Sequence, residues 1–203
     1  MKLYYSPLAC SLADHIALKE AGADFEHEAV DLKTKRTASG RDFVEISKKG
    51  YVPALILDDG EMITENIAIL DWLASRYPQL SIPGALGRTR VLEALTFIST
   101  ELHRNFKPMW HAHGFQEKAR ASETLEDLFQ FISDEFKGDY IFGNEPTVVD
   151  FYLFVLLLWA EKFEVPVTPK LRAMQARMTA RPAVQSAMRE EGMFDQNVSP
   201  QAV

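Results

Sequence analysis

The only cysteine of this 203-residue chain, Cys10, lies in PLACSLADHIALKEAG (residues 7–22), one step ahead of a helical pattern. A helix start presents unpaired backbone N–H groups and the positive end of the dipole. Both favour a thiolate, whether it belongs to Cys10 or to a bound molecule. A free cysteine is also commonly a small buried hydrophobe, and position alone leaves that reading slightly ahead. With a single cysteine, an internal disulfide, a C-x-x-C redox pair and a cysteine metal cluster are excluded. Exchange with an external thiol stays open. Ser11 and Tyr5 are the neighbouring hydroxyls, and either is able to hydrogen-bond a thiolate. Ser11 fits a plain helix cap at least as well, and Tyr5 fits a core aromatic on a strand.

Two further groups carry possible chemistry. Tyr51-Val52-Pro53-Ala54 places a proline at a strand start, where its missing N–H is tolerated. A cis Val52–Pro53 bond would turn the Val52 backbone toward an extended ligand, although most such bonds are trans. Thr64-Glu65-Asn66 opens a helix whose N–H groups suit a ligand carboxylate, with Glu65 suited to an ammonium. Thr64 as a cap and Glu65 as a dipole partner are the commoner roles. Lys35 and Arg36 sit in a polar loop, and His103-Arg104 on a long helix. Taken together, helix starts, a strand edge and basic residues describe a cleft for a small anionic peptide.

The elements that must position these residues follow from the pattern. KLYY (2–5), ended by Ser6-Pro7, reads as a buried strand. Leu12, Ala13, Ile16 and Ala17 recur at helical spacing, and Gly22 ends that helix. EHEAVDL (26–32) reads as a second strand, and residues 41–46 as a short helix. VPALILDDGEMI (52–63), with Asp58-Asp59-Gly60 at its centre, reads as a hairpin. ENIAILDWLASRYP (65–78) is a helix stopped by Pro78. KLYY and EHEAVDL are expected to be parallel through a right-handed crossover. PQLSIPGALGR reads as a linker. Beyond it, residues 89–106, 117–137, 147–163, 169–180 and 182–191 read as helices. Thr147 with Asp150 resembles a capping box with Asp in place of Glu. The expected organisation is a small α/β domain over 1–78, a linker over 79–87 and an all-α domain over 88–203.

The composition limits the partners. A formal net charge of −7 opposes nucleic-acid binding, which needs concentrated positive charge. The most apolar run, FYLFVLLLWA (151–160), is half the ~20 residues of a membrane span, so a buried core helix is expected. No secretory signal is read at MKLYYSPLACSL. The reading is a cytoplasmic protein with no membrane or nucleic-acid partner.

KLYYSPLACSLADHIALKEAG, KKGYVPALILDDGEMITENIAIL, ELHRNF, TVVDFYLF and RPAV together resemble bacterial glutathione transferases of the beta class, across essentially the whole chain. The resemblance implies a thioredoxin-like N-terminal domain plus an all-α C-terminal domain, a homodimer, and glutathione as co-substrate with no metal. It implies that Val52–Pro53 is cis and that Cys10 lies beside the glutathione sulfur, where a mixed disulfide is possible. Tyr5 and Ser11 would lie near that sulfur. Val52 and Pro53 would face the tripeptide backbone, Glu65 and Asn66 its γ-glutamyl end, and Lys35, His103 and Arg104 its carboxylate side. The pattern departs at Asn66, where relatives often carry Gly or Ser, at Thr96, commonly Asn, and at Arg104, usually Lys. NFKPMWHAHGFQ (105–116) would border the pocket for a hydrophobic electrophile. The implied reaction is conjugation of the glutathione thiolate to such an electrophile. Thiol–disulfide exchange through Cys10, and non-catalytic binding of apolar ligands, are the alternatives.

Overall fold

KLYY forms the middle strand of a mixed five-stranded sheet in the computed structural model, which describes residues 1–111 and 114–194. Ala112 and His113 of the aromatic-histidine stretch, and the end of the expected helical domain, lie outside the described residues. The strands are β1 (Lys2–Tyr5), β2 (Glu26–Asp31), β3 (Arg36–Thr37), β4 (Ala54–Ile56) and β5 (Met62–Thr64), in the order β3-β2-β1-β4-β5. β1 and β2 are parallel, with Leu3 beside His27 and Tyr5 beside Ala29. The other pairs are antiparallel, with Leu55 between Leu3 and Ile63. β3 is not foreseen in the sequence, because a two-residue edge strand leaves no period to read.

Helix α1 (Ser11–Glu20) makes the crossover and is buried from Ser11 to Leu18. It therefore lies inside the molecule, against the sheet and also against three later helices. Gly22 takes φ +65, and the N–H groups of Gly22 and Ala23 reach back to the carbonyls of Lys19 and Leu18. That left-handed stop suits glycine, and the resulting bond pattern closes the helix end. A short α2 (Phe43–Ile46) and the longer α3 (Asn66–Arg76) complete this half.

Among the described residues, the remainder is helical: α4 (Gly87–Phe97), α5 (Lys107–Trp110), α6 (Phe115–Glu135), α7 (Val148–Lys162), α8 (Pro169–Thr179) and α9 (Pro182–Glu190). α4 does not run on regularly to residue 106, as the apolar spacing suggests. Its continuation over Ile98–His103 widens into π-type turns, and α5 follows as a separate piece. Such widened turns re-aim side chains and occur often at functional sites.

α7 is the core helix. Phe151, Leu153, Phe154, Val155, Leu156 and Trp159 are all buried, as the ten-residue apolar run suggests. Its start is the expected capping box: Thr147 Oγ1 accepts from the Val149 N–H at 3.3 Å, and Asp150 Oδ2 from the Thr147 N–H at 2.8 Å. Asp150 Oδ1 also accepts from the Ile141 N–H at 3.0 Å, tying the preceding loop to the helix. Burial pushes the Asp150 carboxyl up to about 6, against the pull of these N–H groups. Removing one cap costs about 1–2 kcal/mol, whereas each buried donor left orphaned costs about 1–3 kcal/mol. Thr147→Ala is thus expected to lose about 1–2 kcal/mol of stability, and Asp150→Ala clearly more, of order 3–5 kcal/mol, in urea unfolding. Equal losses would show that the loop bond contributes nothing.

Candidate active site

A cavity of about 420 Å³ opens where the starts of α1 and α3 meet the strand lead-in Tyr51-Val52-Pro53. Cys10 occupies the residue just before α1, and the backbone N–H groups of Cys10 and Ser11 both act on its sulfur. Burial nevertheless pushes the thiol well up, with the nearby Asp14 carboxyl adding to the shift, and the two amides only offset part of it. Desolvation of a charged sulfur outweighs the helix-end field here. Cys10 therefore presents a neutral S–H to the cavity rather than a thiolate.

The second helix start is built around Glu65, whose backbone takes φ +75, a strained region for a side-chain-bearing residue. That turn points Glu65 and the first amides of α3 into the cavity. The Glu65 carboxylate pairs with Lys49 Nζ at the rim. Asn66 follows and is nearly buried. With its amide nitrogen assigned by the surrounding acceptors, it donates to the Cys10 carbonyl at 3.1 Å and to Asp14 Oδ2 at 2.8 Å. One side chain thus joins the starts of α1 and α3. The Val52–Pro53 bond is cis, as the resemblance implied, and both residues line the cavity beside Thr64 of β5.

The inner wall comes from the helical region. His103 Nδ1 and the Tyr152 hydroxyl share a 2.6 Å hydrogen bond. The imidazole also meets Trp159 edge-on at 4.8 Å. Burial pulls His103 down to about 4, so it is neutral near pH 7. Tyr152 is pushed well above the usual phenol range by burial and then by Cys10, while hydrogen bonds with Ser99 and Asn66 pull the other way. Its hydroxyl accordingly sits among Cys10, Asn66, Ser99 and His103.

The structure brings together Cys10, Val52, Pro53, Glu65, Asn66 and His103 around one cavity. Lys35 stands just outside, its Nζ donating to the Gly50 carbonyl at 2.9 Å and lying over the exposed Tyr51 ring at 4.7 Å. Ser11 is turned inward, bonded through its hydroxyl to the Ser6 backbone. Tyr5 donates to the Glu190 carbonyl at 3.2 Å on the far side of α1, and burial followed by Glu191 and Glu190 raises it to about 12. Arg104 is exposed, rotated away from the cavity that its neighbour His103 faces. Thr96 is also exposed, and the residue of this segment that reaches the cavity is Ser99. Thr96 came into view only through the resemblance and lies on regular α4, whereas Ser99 lies in the π-type turns that follow. In the stretch 105–116, Phe106 and Trp110 pack behind the wall against Trp159, at 5.5 and 5.4 Å.

Five contributors escape the sequence reading of the site: Lys49, Ile67, Ser99, Thr64 as a wall residue, and Tyr152. Tyr152 had a readable signal. A tyrosine inside a wholly buried apolar run needs a partner for its hydroxyl.

Residues 1–75 match the glutathione S-transferase N-terminal domain and residues 97–182 the glutathione S-transferase C-terminal domain. The chain is 40% identical to glutathione S-transferase GstA of Escherichia coli O157:H7, over 95% of this chain and all of the relative. Among solved structures, a sphingomonad glutathione S-transferase complexed with glutathione is 42% identical, with a TM-score of 0.89 over 95% of this chain and all of that one. A beta-class glutathione S-transferase of Sphingomonas chungbukensis is 39% identical, with a TM-score of 0.86 and the same coverage. The chain belongs to the glutathione S-transferase family. Its sheet and helical halves are the thioredoxin-like and all-α parts of that fold.

The neutral state of His103 has a consequence for acid stability. The unfolded chain takes up a proton on this residue near pH 6.5, the folded protein only near 4. The unfolded state binds the extra proton between those values, so stability falls as pH drops through that window, by up to about 1.4 kcal/mol per pH unit. His103→Gln is expected to flatten that part of the stability curve, read by urea unfolding at pH 7, 6 and 5. An unchanged acid slope would exclude His103 as its source.

Proposed function

We propose that the cavity binds glutathione and transfers its thiolate to small hydrophobic electrophiles. One observation carries the reading: two helix N-termini and the cis Val52–Pro53 lead-in converge on one cleft, with the Cys10 sulfur in its wall. The γ-glutamyl carboxylate would take the free amides at the start of α3, and its ammonium the Glu65 carboxylate in competition with Lys49. The Val52 backbone would pair with the middle of the tripeptide. Lys35 and Lys49 would lie toward the glycyl carboxylate, with Arg104 further out.

The glutathione sulfur would then rest near Cys10 and the amides of α1. A free thiol with a pKa near 8.5 is mostly protonated at neutral pH and a poor nucleophile. The Cys10 S–H and the amides favour its ionised form, the proton leaving to solvent. The thiolate attacks the electrophilic carbon, a C–S bond forms, and the leaving group departs with its electron pair. Tyr152, Ser99 and the neutral His103 form the polar part of the wall near this centre. The aromatic stack behind them supports an apolar acceptor side. Because Cys10 is buried and neutral, it acts as a donor to that sulfur, and thiol–disulfide exchange is the lesser reading.

The same reading takes the protein to be a cytoplasmic detoxification enzyme and a homodimer. The lone cysteine suits a reducing compartment. Exposed Leu92 on α4 and Phe131 on α6 offer apolar area to a second copy. Among the described residues, no helix is long and apolar enough to cross a membrane.

Retention on immobilised glutathione and turnover of a dinitrophenyl halide are expected, and failure of both would sink the proposal. Cys10→Ala should keep conjugation within about tenfold, the scale of one donor, while losing reduction of glutathione mixed disulfides. Loss of both activities would make Cys10 the obligatory nucleophile instead. Glu65→Gln removes a charge-assisted contact of about 1.5–3 kcal/mol, so KM for glutathione should rise roughly 10- to 100-fold with kcat little changed. A KM within twofold of the parent would remove Glu65 from the site.

A further inference from the structure

On the opposite side of α1 from the cavity, three side chains from distant parts of the chain converge: His15 of α1, His27 of β2 and Glu190 of α9. Their ligand atoms all lie within 4.8 Å of one another. Glu190 Oε2 is 3.0 Å from His15 Nε2 and 3.2 Å from His27 Nε2. Bonds of about 2.0–2.2 Å to one tetrahedral ion place neighbouring ligand atoms about 3.3 Å apart. The two carboxylate–imidazole spacings are already close to this, and the wider pair within the 4.8 Å set has to draw together. The two imidazole rings stand 5.0 Å apart at 40°, with both Nε2 atoms turned to the same carboxylate oxygen.

The outer contacts are those of a built site. His15 Nδ1 meets Glu191 Oε1 at 3.1 Å, so a proton on Nδ1 directs the Nε2 lone pair toward the centre. Glu190 Oε1, the oxygen facing away, accepts from Lys19 Nζ at 2.6 Å and from Ser186 Oγ at 3.1 Å. Those bonds fix the carboxylate and leave Oε2 for a ligand. Tyr5 and Phe25 pack against the imidazoles and hold their planes. His15 is fully buried, whereas the His27 and Glu190 side chains are 31% and 29% exposed and leave a way in from solvent.

We propose that His15, His27 and Glu190 form a binding site for a borderline divalent transition-metal ion, zinc being the representative. Two imidazoles and one carboxylate are a donor set that such ions accept, with the fourth position left to water. The ion would join α9 to β2 and α1, clamping the helical part onto the sheet. The site is separate from the glutathione cavity and does not depend on that reading. The sequence expectation of no metal came with the family resemblance, and ligands up to 175 residues apart leave no local motif to read.

The test is zinc titration of the full chain by calorimetry, with thermal unfolding and the visible spectrum of the Co²⁺ form as second readouts. One equivalent per chain is expected, with a raised unfolding temperature and the absorption of low-coordinate cobalt. His27→Ala alters a half-exposed strand residue and should weaken binding roughly 100-fold or more, because even outer-contact losses cost 10–100-fold. Glu190→Gln should do the same, whereas His111→Ala should leave binding unchanged. Absence of stoichiometric zinc binding in the parent would overturn the proposal and leave a hydrogen-bonded cluster. Binding undiminished in folded His27→Ala and Glu190→Gln would overturn it too, by placing the ion on other groups.

Discussion

The loop that launches α1 is the constraint on which the site depends. Leu8 sits there with φ +59, its carbonyl held by Trp159 Nε1 at 2.8 Å and its N–H by Glu191 Oε2 at 3.2 Å. Both anchors come from the helical half of the chain, 151 and 183 residues away. A left-handed residue of this kind is stable only when its surroundings over-determine it. Two residues later the chain delivers Cys10 to the cavity wall. The sulfur is thus aimed by the packing of α7 and the end of α9, and the two halves of the fold form one machine for placing it.

Around that sulfur the structure supplies dipoles rather than free charges. Cys10, Tyr152 and His103 are all held neutral by burial, and the rim cation Lys49 is already paired with Glu65. What remains to favour an incoming thiolate is the field of the α1 start and fixed hydrogen-bond donors. Such groups need no reorganisation when charge develops, which is why pre-set dipoles are effective stabilisers. The same burial that disqualifies Cys10 as a thiolate keeps its S–H available as one of those donors.

Most of the fold was legible because it is written in short-range pattern. Gly22, Asp58-Asp59-Gly60, Pro78 and Thr147…Asp150 each mark an element boundary by a local backbone requirement. The cleft was legible to the extent that its parts sit at element starts, as Cys10 and Glu65 do. It was illegible where position depends on the irregular: the widened turns at 98–103 carry Ser99 to the wall. Tyr5 and Ser11 were misdirected by adjacency in sequence. A strand residue and the first residue of a helix point to faces set by the sheet and by Ser6, and both turn away from Cys10's cavity.

Glu191 shows how closely the two faces of α1 are tied. One of its oxygens holds the Leu8 N–H, and the other holds His15 Nδ1. The fully buried His15 lies on the same helix whose start carries Cys10, four residues after its first residue Ser11. Any change in what His15 Nε2 binds is therefore felt by the carboxylate that also fixes Leu8. Glu191 thereby joins the end of α9 to the loop that carries Cys10. A group clamping α9 to β2 would act on the cavity by stiffening its support rather than by touching glutathione.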